Sequence, residues 1–190
     1  ATGKYVLCDC TGYRLDGTDT EPGMYVGIII NRSLADTTDS VTGLGDIHAL
    51  VNAIGEMRRV AREAGFIAIK VDDIAEVNAR FGFDAGDRVL AESAACLMDC
   101  SRGKGRLFRS TGPMFVALFD ELGPEAIDEI ASDIERFLGS PVLIGSLEYQ
   151  PPIRVATLHL DGVDRQPVSI LNELKALLGK AVQVPGTKLD

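Results

Sequence analysis

The longest apolar runs in this chain, such as Val26-Gly-Ile-Ile-Ile30, fall far short of the roughly 20 residues that a bilayer crossing needs. No membrane span is expected, and no stretch has the form of a signal peptide. Clustered positive charge is scarce too. Against 28 Asp and Glu stand 19 Lys and Arg, for a net charge of −9. The cations are scattered, apart from Arg58-Arg59-Arg62 and Arg102-Gly-Lys-Gly-Arg106, which argues against nucleic acid as a partner. The four cysteines, at 8, 10, 96 and 100, lack the nearby histidines or second C-x-x-C of a zinc site. They read as packing or surface thiols of a chain in a reducing cytoplasm. The two histidines, His48 and His159, read as structural, and neither a Ser/His/Asp set nor a phosphate-binding glycine loop is visible.

What is present is a foldable sequence. At 190 residues, 46% hydrophobic and 25% charged, it can bury one full core with length to spare. The first part reads as a β-hairpin, with strands over Lys4–Cys10 and Met24–Asn31 around a turn-rich Asp16–Gly23. A hairpin alone is marginal in water, so it is expected to pack on something or to end a larger domain. Residues 1–38 are taken as hairpin and linker, and 39–190 as the main domain. From Asp46 to Glu63 apolar residues recur at 47, 50, 51, 54, 57, 60 and 61, predicting a helix capped by Asp46 and closed by Gly65. Further helices are predicted over Ile74–Phe81, Asp84–Cys100, Pro124–Leu138 and Pro167–Ala181. Strands are predicted over Phe66–Asp72, Gly105–Arg109, Met114–Phe119, Val142–Tyr149 and Ile153–Asp161. Hairpins mixed with helices in this order predict an α+β fold, a two-layer sandwich with a mostly antiparallel central sheet flanked by helices.

Asp39-Ser-Val-Thr-Gly-Leu44 resembles the opening Asp-x-Leu-Thr-Gly-Leu of the GGDEF domain family of diguanylate cyclases. The segment Asp72–Leu90, with Val77-Asn78, Phe81-Gly82 and Ala85-Gly86-Asp87, is similar to that family's Asp-x-Asp-x-Phe-Lys-x-Ile-Asn-Asp-x-x-Gly-His-x-x-Gly-Asp-x-x-Leu. Thr111-Gly112-Pro113-Met114-Phe115 stands where the family has its Gly-Gly-(Asp/Glu)-Glu-Phe signature. Order and spacing together are specific, and the likeness covers roughly residues 39 to 181. It implies the nucleotide-cyclase, ferredoxin-like fold and the joining of two GTP molecules into cyclic di-GMP across a dimer. The hairpin resembles the closing strands of a PAS sensor domain.

The same resemblance implies that the chemistry is missing. Two divalent ions such as Mg²⁺ require oxygen ligands, chiefly carboxylates. The family's first-strand metal carboxylate falls on Lys70, its signature metal position on Pro113 and its signature Glu on Met114. None of these side chains can ligate a hard cation. The phosphate-contacting Lys falls on Ala75, and a second one, in the last helix, on Ala181, one residue beyond Lys180. Asn78 and Asp87 match the base-reading pair, although each also has a local reading, Asn78 satisfying backbone groups and Asp87 favoured in the first turn of its helix. Of the Arg-x-x-Asp product-inhibition site only Arg102 remains.

These residues imply a non-catalytic module, needing no cofactor, that works through dimerisation or weak binding of GTP, GDP or cyclic di-GMP within a larger cytoplasmic signalling protein. Two alternatives stay open. One is an active cyclase using GTP and Mg²⁺ with a metal site relocated to Asp72 and Asp73, and the other is a pure interaction scaffold.

Overall fold

The structure, a computed structural model, describes residues 8–15, 24–31, 37–60, 63–101, 103–138, 141–162 and 165–187, with only the backbone described at 8–15, 24–31 and 58–60. The chain divides into two compact units, Ala1–Asp36 and Thr37–Asp190.

The first unit is an antiparallel hairpin of β1 (Cys8–Leu15) and β2 (Met24–Asn31), in register from Cys8↔Asn31 to Leu15↔Met24. Its first strand extends further than expected, because Tyr13 and Arg14 pair with Val26 and Tyr25 and carry the ladder up to the turn-rich segment. That segment, Asp16–Gly23, lies outside the described residues, as do Lys4–Leu7 and residues 32–36 of the linker.

The second unit contains α1 (Ile47–Val60), β3 (Glu63–Val71), α2 (Ile74–Phe81), α3 (Phe83–Ser101), β4 (Arg106–Thr111), β5 (Met114–Asp120), α4 (Pro124–Phe137), β6 (Val142–Ile144), β7 (Leu147–Tyr149), β8 (Ile153–Asp161), α5 (Pro167–Lys180) and β9 (Gln183–Val184). Five strands form one sheet in the order β4-β5-β3-β8-β9, with neighbouring strands antiparallel throughout. β3 is central, and its Phe66-Ile-Ala-Ile69 core is wholly buried. Such an unbroken apolar run is what a strand covered on both faces requires.

Both faces are covered. Phe66, Ala68, Met114 and Val116 pack with Leu50 and Ile54 of α1 and with Ile170 and Leu174 of α5. Ile67, Ile69, Phe115 and Ala117 pack with Val89 and Leu97 of α3 and with Ile127 and Ile134 of α4. The α+β class, the antiparallel sheet and the flanking helices are those expected. The layer count differs: the sheet is the middle of three layers rather than one of two.

Asp46 caps α1, its Oδ1 accepting from the amides of His48 at 2.8 Å and Ala49 at 2.9 Å. α1 nevertheless ends at Val60, not at Gly65. Glu63–Gly65 belong to β3, where they pair with Asp161–His159 and, at Ala64 and Gly65, also with Asp120 and Phe119. Tertiary ladders outweigh helical spacing there. The strand expected over Val142–Tyr149 is a small hairpin, broken at Gly145, whose φ of +63° turns the chain.

Candidate functional site

The signature segment forms the tip of the β4–β5 hairpin. Thr111 pairs with Met114 across Gly112-Pro113, with a bulge between Arg109 and Thr111. Gly112 has φ +55°, the left-handed value that a two-residue hairpin loop demands at its first central position. Proline is accommodated at the second position, where its missing N–H is not needed by the ladder. The Pro113 carbonyl accepts from the Val71 amide at 3.0 Å, fastening the tip to the end of β3. Met114 and Phe115 are core residues, 5% and 1% exposed, packed within the hydrophobic interior.

The opening Asp39–Leu44 turn meets this hairpin through Arg109. Its Nη1 donates to Asp39 Oδ1 at 3.0 Å and Oδ2 at 3.2 Å, while Nε donates to the Gly112 carbonyl at 2.8 Å. Burial works to raise the Asp39 carboxyl, but hydrogen bonds from Thr42 and Arg109 outweigh it and hold the group below its ordinary value.

Lys70 lies near the end of β3, directly opposite Arg154 of β8 and Met114 of β5. Alternation places it on the α1/α5 face with Phe66 and Ala68. Its Nζ is 2.6 Å from Asp72 Oδ1, and the Asp72 carboxylate also accepts at Oδ2 from Arg154 Nε at 2.9 Å and from Gln183 Nε2 at 2.6 Å. Arg154 Nη1 donates to the Ala181 carbonyl at 2.9 Å. Asp72 is 7% exposed. Burial pushes its carboxyl up, but bonds from Lys70, Gln183 and Arg154 outweigh that and hold it below its ordinary value. Between the hairpin tip and α5 opens a cleft of about 450 Å³, lined by Lys70, Arg154 and Lys175 with Thr111 and Pro113.

These residues do not fit a magnesium pair. An ammonium, a pyrrolidine ring and a thioether stand at the first-strand and signature positions, and the nearby carboxylate, Asp72, is taken up by two cations and an amide. Asp73 is exposed, with φ +62°, and among the described residues Asp72 and Asp73 belong to no group of three clustered metal donors. Among the described residues one such group gathers, Glu63, His159 and Asp161, at the opposite end of β3. There His159 Nε2 is 3.7 Å from Glu63 and Nδ1 is 3.5 Å from Asp161, while His48 lies 3.4 Å from Asp46.

The remaining candidates are dispersed. Ala75 is exposed on α2, and Lys180 is exposed at the end of α5. Asn78 is half-buried on α2, its enclosed Oδ1 has no hydrogen-bond partner among the described residues, and it faces the Gly86 backbone one residue before exposed Asp87. Arg102 lies outside the described residues. Cys96 and Cys100 meet at a sulfur separation of 4.0 Å, a packing contact, and burial beside Cys100 pushes the Cys96 thiol up to about 12.

The profile of the family described as "Diguanylate cyclase, GGDEF domain" matches residues 36–155, more than half of the chain. The chain belongs to the GGDEF family. The domain is 29% identical over 119 residues to the cyclic di-GMP phosphodiesterase PdeR of Escherichia coli K12, covering 62% of this chain and 18% of that protein. It is 29% identical over 84 residues to the diguanylate cyclase DgcS of Shewanella oneidensis, covering 42% of this chain and 28% of that protein. The chain thus spans less than a third of the length of either relative. Its fold is that of the GGDEF domain of FimX from Pseudomonas aeruginosa, with TM-score 0.72 at 16% identity over 77% of this chain and 94% of that one. It is also that of the diguanylate cyclase SiaD from the same species, solved with its activator SiaC, with TM-score 0.71 at 20% identity over 77% of this chain and 58% of that one.

Sequence reasoning missed Arg154, Gln183 and Lys175. Register alone reveals the first, since Arg154 faces Lys70 only once β3 and β8 are aligned residue by residue.

Proposed function

We propose that this GGDEF domain is a non-catalytic regulatory module of a cyclic di-GMP-type bacterial signalling protein, acting in the cytoplasm through dimerisation or weak nucleotide sensing. The observation that carries the reading is the Lys70–Asp72–Arg154 cluster, in which cations fill the place where divalent ions would be held. Two-metal transfer depends on anions at that place to grip the ions that bridge the phosphates. Asn78 Oδ1, enclosed and unpaired beside Gly86 and Asp87, supports residual recognition of a purine edge, because a buried acceptor without a partner gains by meeting an N–H. Base contacts without phosphate-bound metal give weak affinity, which suits sensing rather than turnover.

The much greater length of PdeR and DgcS supports a domain that works beside others, with the β1–β2 hairpin as the tail of an upstream PAS-type sensor. Regulation would then be a shift between two packings of the module, biased by the sensor or by a nucleotide.

Titration of GTP with Mg²⁺ by calorimetry, run beside a product assay for cyclic di-GMP, tests this. The expected outcome is weak or absent heat and no product. Product formation would overturn the reading in favour of a cyclase with a relocated metal site.

A further inference from the structure

At the end of β3 away from the signature hairpin, Glu63 and Asp161 stand directly opposite each other in the β3–β8 pairing, and His159 lies on the same face of the sheet. Like charges in that relation repel. Glu121 adds a third carboxylate, lining with Glu63, Asp161 and Gly162 an opening of about 540 Å³. Among the described residues no lysine or arginine forms an ion pair with any of the three. The negative charge gathered there is unopposed.

The imidazole supplies what an acidic patch lacks. The His159 side chain is only 20% exposed, and its Nε2 is enclosed with no hydrogen-bond partner among the described residues. Glu63 Oε2 lies 3.7 Å from that nitrogen, and Asp161 Oδ1 lies 3.5 Å from Nδ1. Both separations exceed the reach of an N–H···O bond, about 3.2 Å. The gap from Nε2 to Glu63 is instead close to the spacing of about 3.4 Å between two donors on a tetrahedral ion with bonds of about 2.1 Å. One donor atom from each of Glu63, His159 and Asp161 can be taken so that all three lie within 4.8 Å of one another.

We infer that Glu63, His159 and Asp161 bind a divalent first-row transition ion, with zinc as the representative, through His159 Nε2 and one oxygen from each carboxylate. Glu121, lining the same opening, is the fourth donor. An imidazole beside carboxylates suits such an ion, whereas Mg²⁺ and Ca²⁺ take oxygen donors. Bound there, the ion neutralises the facing carboxylates and gives the enclosed nitrogen a partner. It also ties β3 to β8, so its binding energy adds to the stability of the folded domain. The site shares no residue with the Lys70 cluster and is independent of the question of turnover.

The test is calorimetric titration of the 190-residue chain with zinc chloride in excess Mg²⁺, with the ring signals of the two histidines followed by NMR. Saturable binding is expected, with the His159 ring shifted and that of His48, on α1, unmoved. His159→Ala and Glu63→Gln should each weaken this binding at least about tenfold, as for loss of one donor. Zinc should also raise the melting temperature of the wild type by more than that of His159→Ala. Thermal unfolding without metal shows whether the variants fold, and the wild-type NMR titration decides the matter even where they do not. An unmoved His159 ring would place any zinc elsewhere, at the cysteines, and overturn the inference. Affinity unchanged in folded variants would overturn it too, and binding abolished by Mg²⁺ would do the same by reducing the site to an acidic patch.

Discussion

Arg109 binds Asp39 with both carboxylate oxygens within 3.2 Å across a sequence separation of 70 residues, and the same guanidinium holds the Gly112 carbonyl. One side chain therefore couples the opening turn of the domain to the tip of its signature hairpin.

Arg109→Ala should destabilise the domain by about 1–3 kcal/mol, since it leaves a largely buried carboxylate short of its charged partner. Arg109→Lys should recover only part of this, because an ammonium cannot reproduce the two-pronged contact. Urea unfolding of both variants measures the difference. Equal stability of wild type and Arg109→Ala would show that the coupling carries no energy.

Asp39 and Asp72 both titrate below their ordinary value of 3.8 in the folded chain. A depressed carboxyl contributes stability that is present above the unfolded value and is lost as pH falls through the folded one. Stability against urea should accordingly be insensitive to these groups near neutrality and drop below about pH 4. Asp72→Asn should be less stable at neutral pH, because Lys70 and Arg154 then face each other without an anion, and its decline below about pH 4 should be shallower. Parallel curves for the two proteins would exclude the Asp72 share.

A Cβ at Gly86 would lie 1.9 Å from Asn78 Oδ1. Gly86→Ala is therefore expected to destabilise the α2–α3 junction despite alanine's better helix propensity of about 1 kcal/mol. In the Asn78→Ala background the obstruction is gone, and the same change should stabilise by a similar amount. A double-mutant cycle showing additivity would contradict the contact.

Gly65 faces α4, where an added Cβ would come within 2.4 Å of Ile127 Cδ1. Gly65→Ala should cost about 1–3 kcal/mol through overpacking. Gly65→Ala combined with Ile127→Val should recover part of that cost, as read by thermal unfolding.

Tyr149 is fully buried, and among the described residues its hydroxyl has no hydrogen-bond partner. Burial, with Asp73, Glu76 and Asp72 nearby, pushes that hydroxyl up to about 12. Tyr149→Phe removes an unsatisfied polar atom without opening a cavity, so stability should be unchanged or raised by about 1 kcal/mol. A loss of more than that in urea unfolding would reveal a partner for the hydroxyl.

Much of the domain was legible along the chain. Pro124 and Pro167 mark helix starts, Gly82 separates α2 from α3, and Asp46 caps α1, because these are local backbone preferences that act within a turn. Where local and long-range demands compete, local reading failed. Glu63 to Gly65 read as the last residue and the close of a helix, yet they form strand because neighbouring strands complete their ladder. The three-layer arrangement was hidden likewise, since β3's apolar run says that both faces are covered but not by which helices.

Residue types alone show that Lys70, Pro113 and Met114 offer no carboxylate, because a side chain's charge and ligand chemistry do not depend on where it folds. The convergence of Lys70, Arg154 and Lys175 on one cleft, and the burial of Asp72 between two of them, came only with the folded sheet. Strand register and helix docking set distances between residues far apart in the chain, and electrostatic interaction depends on those distances rather than on order in the sequence.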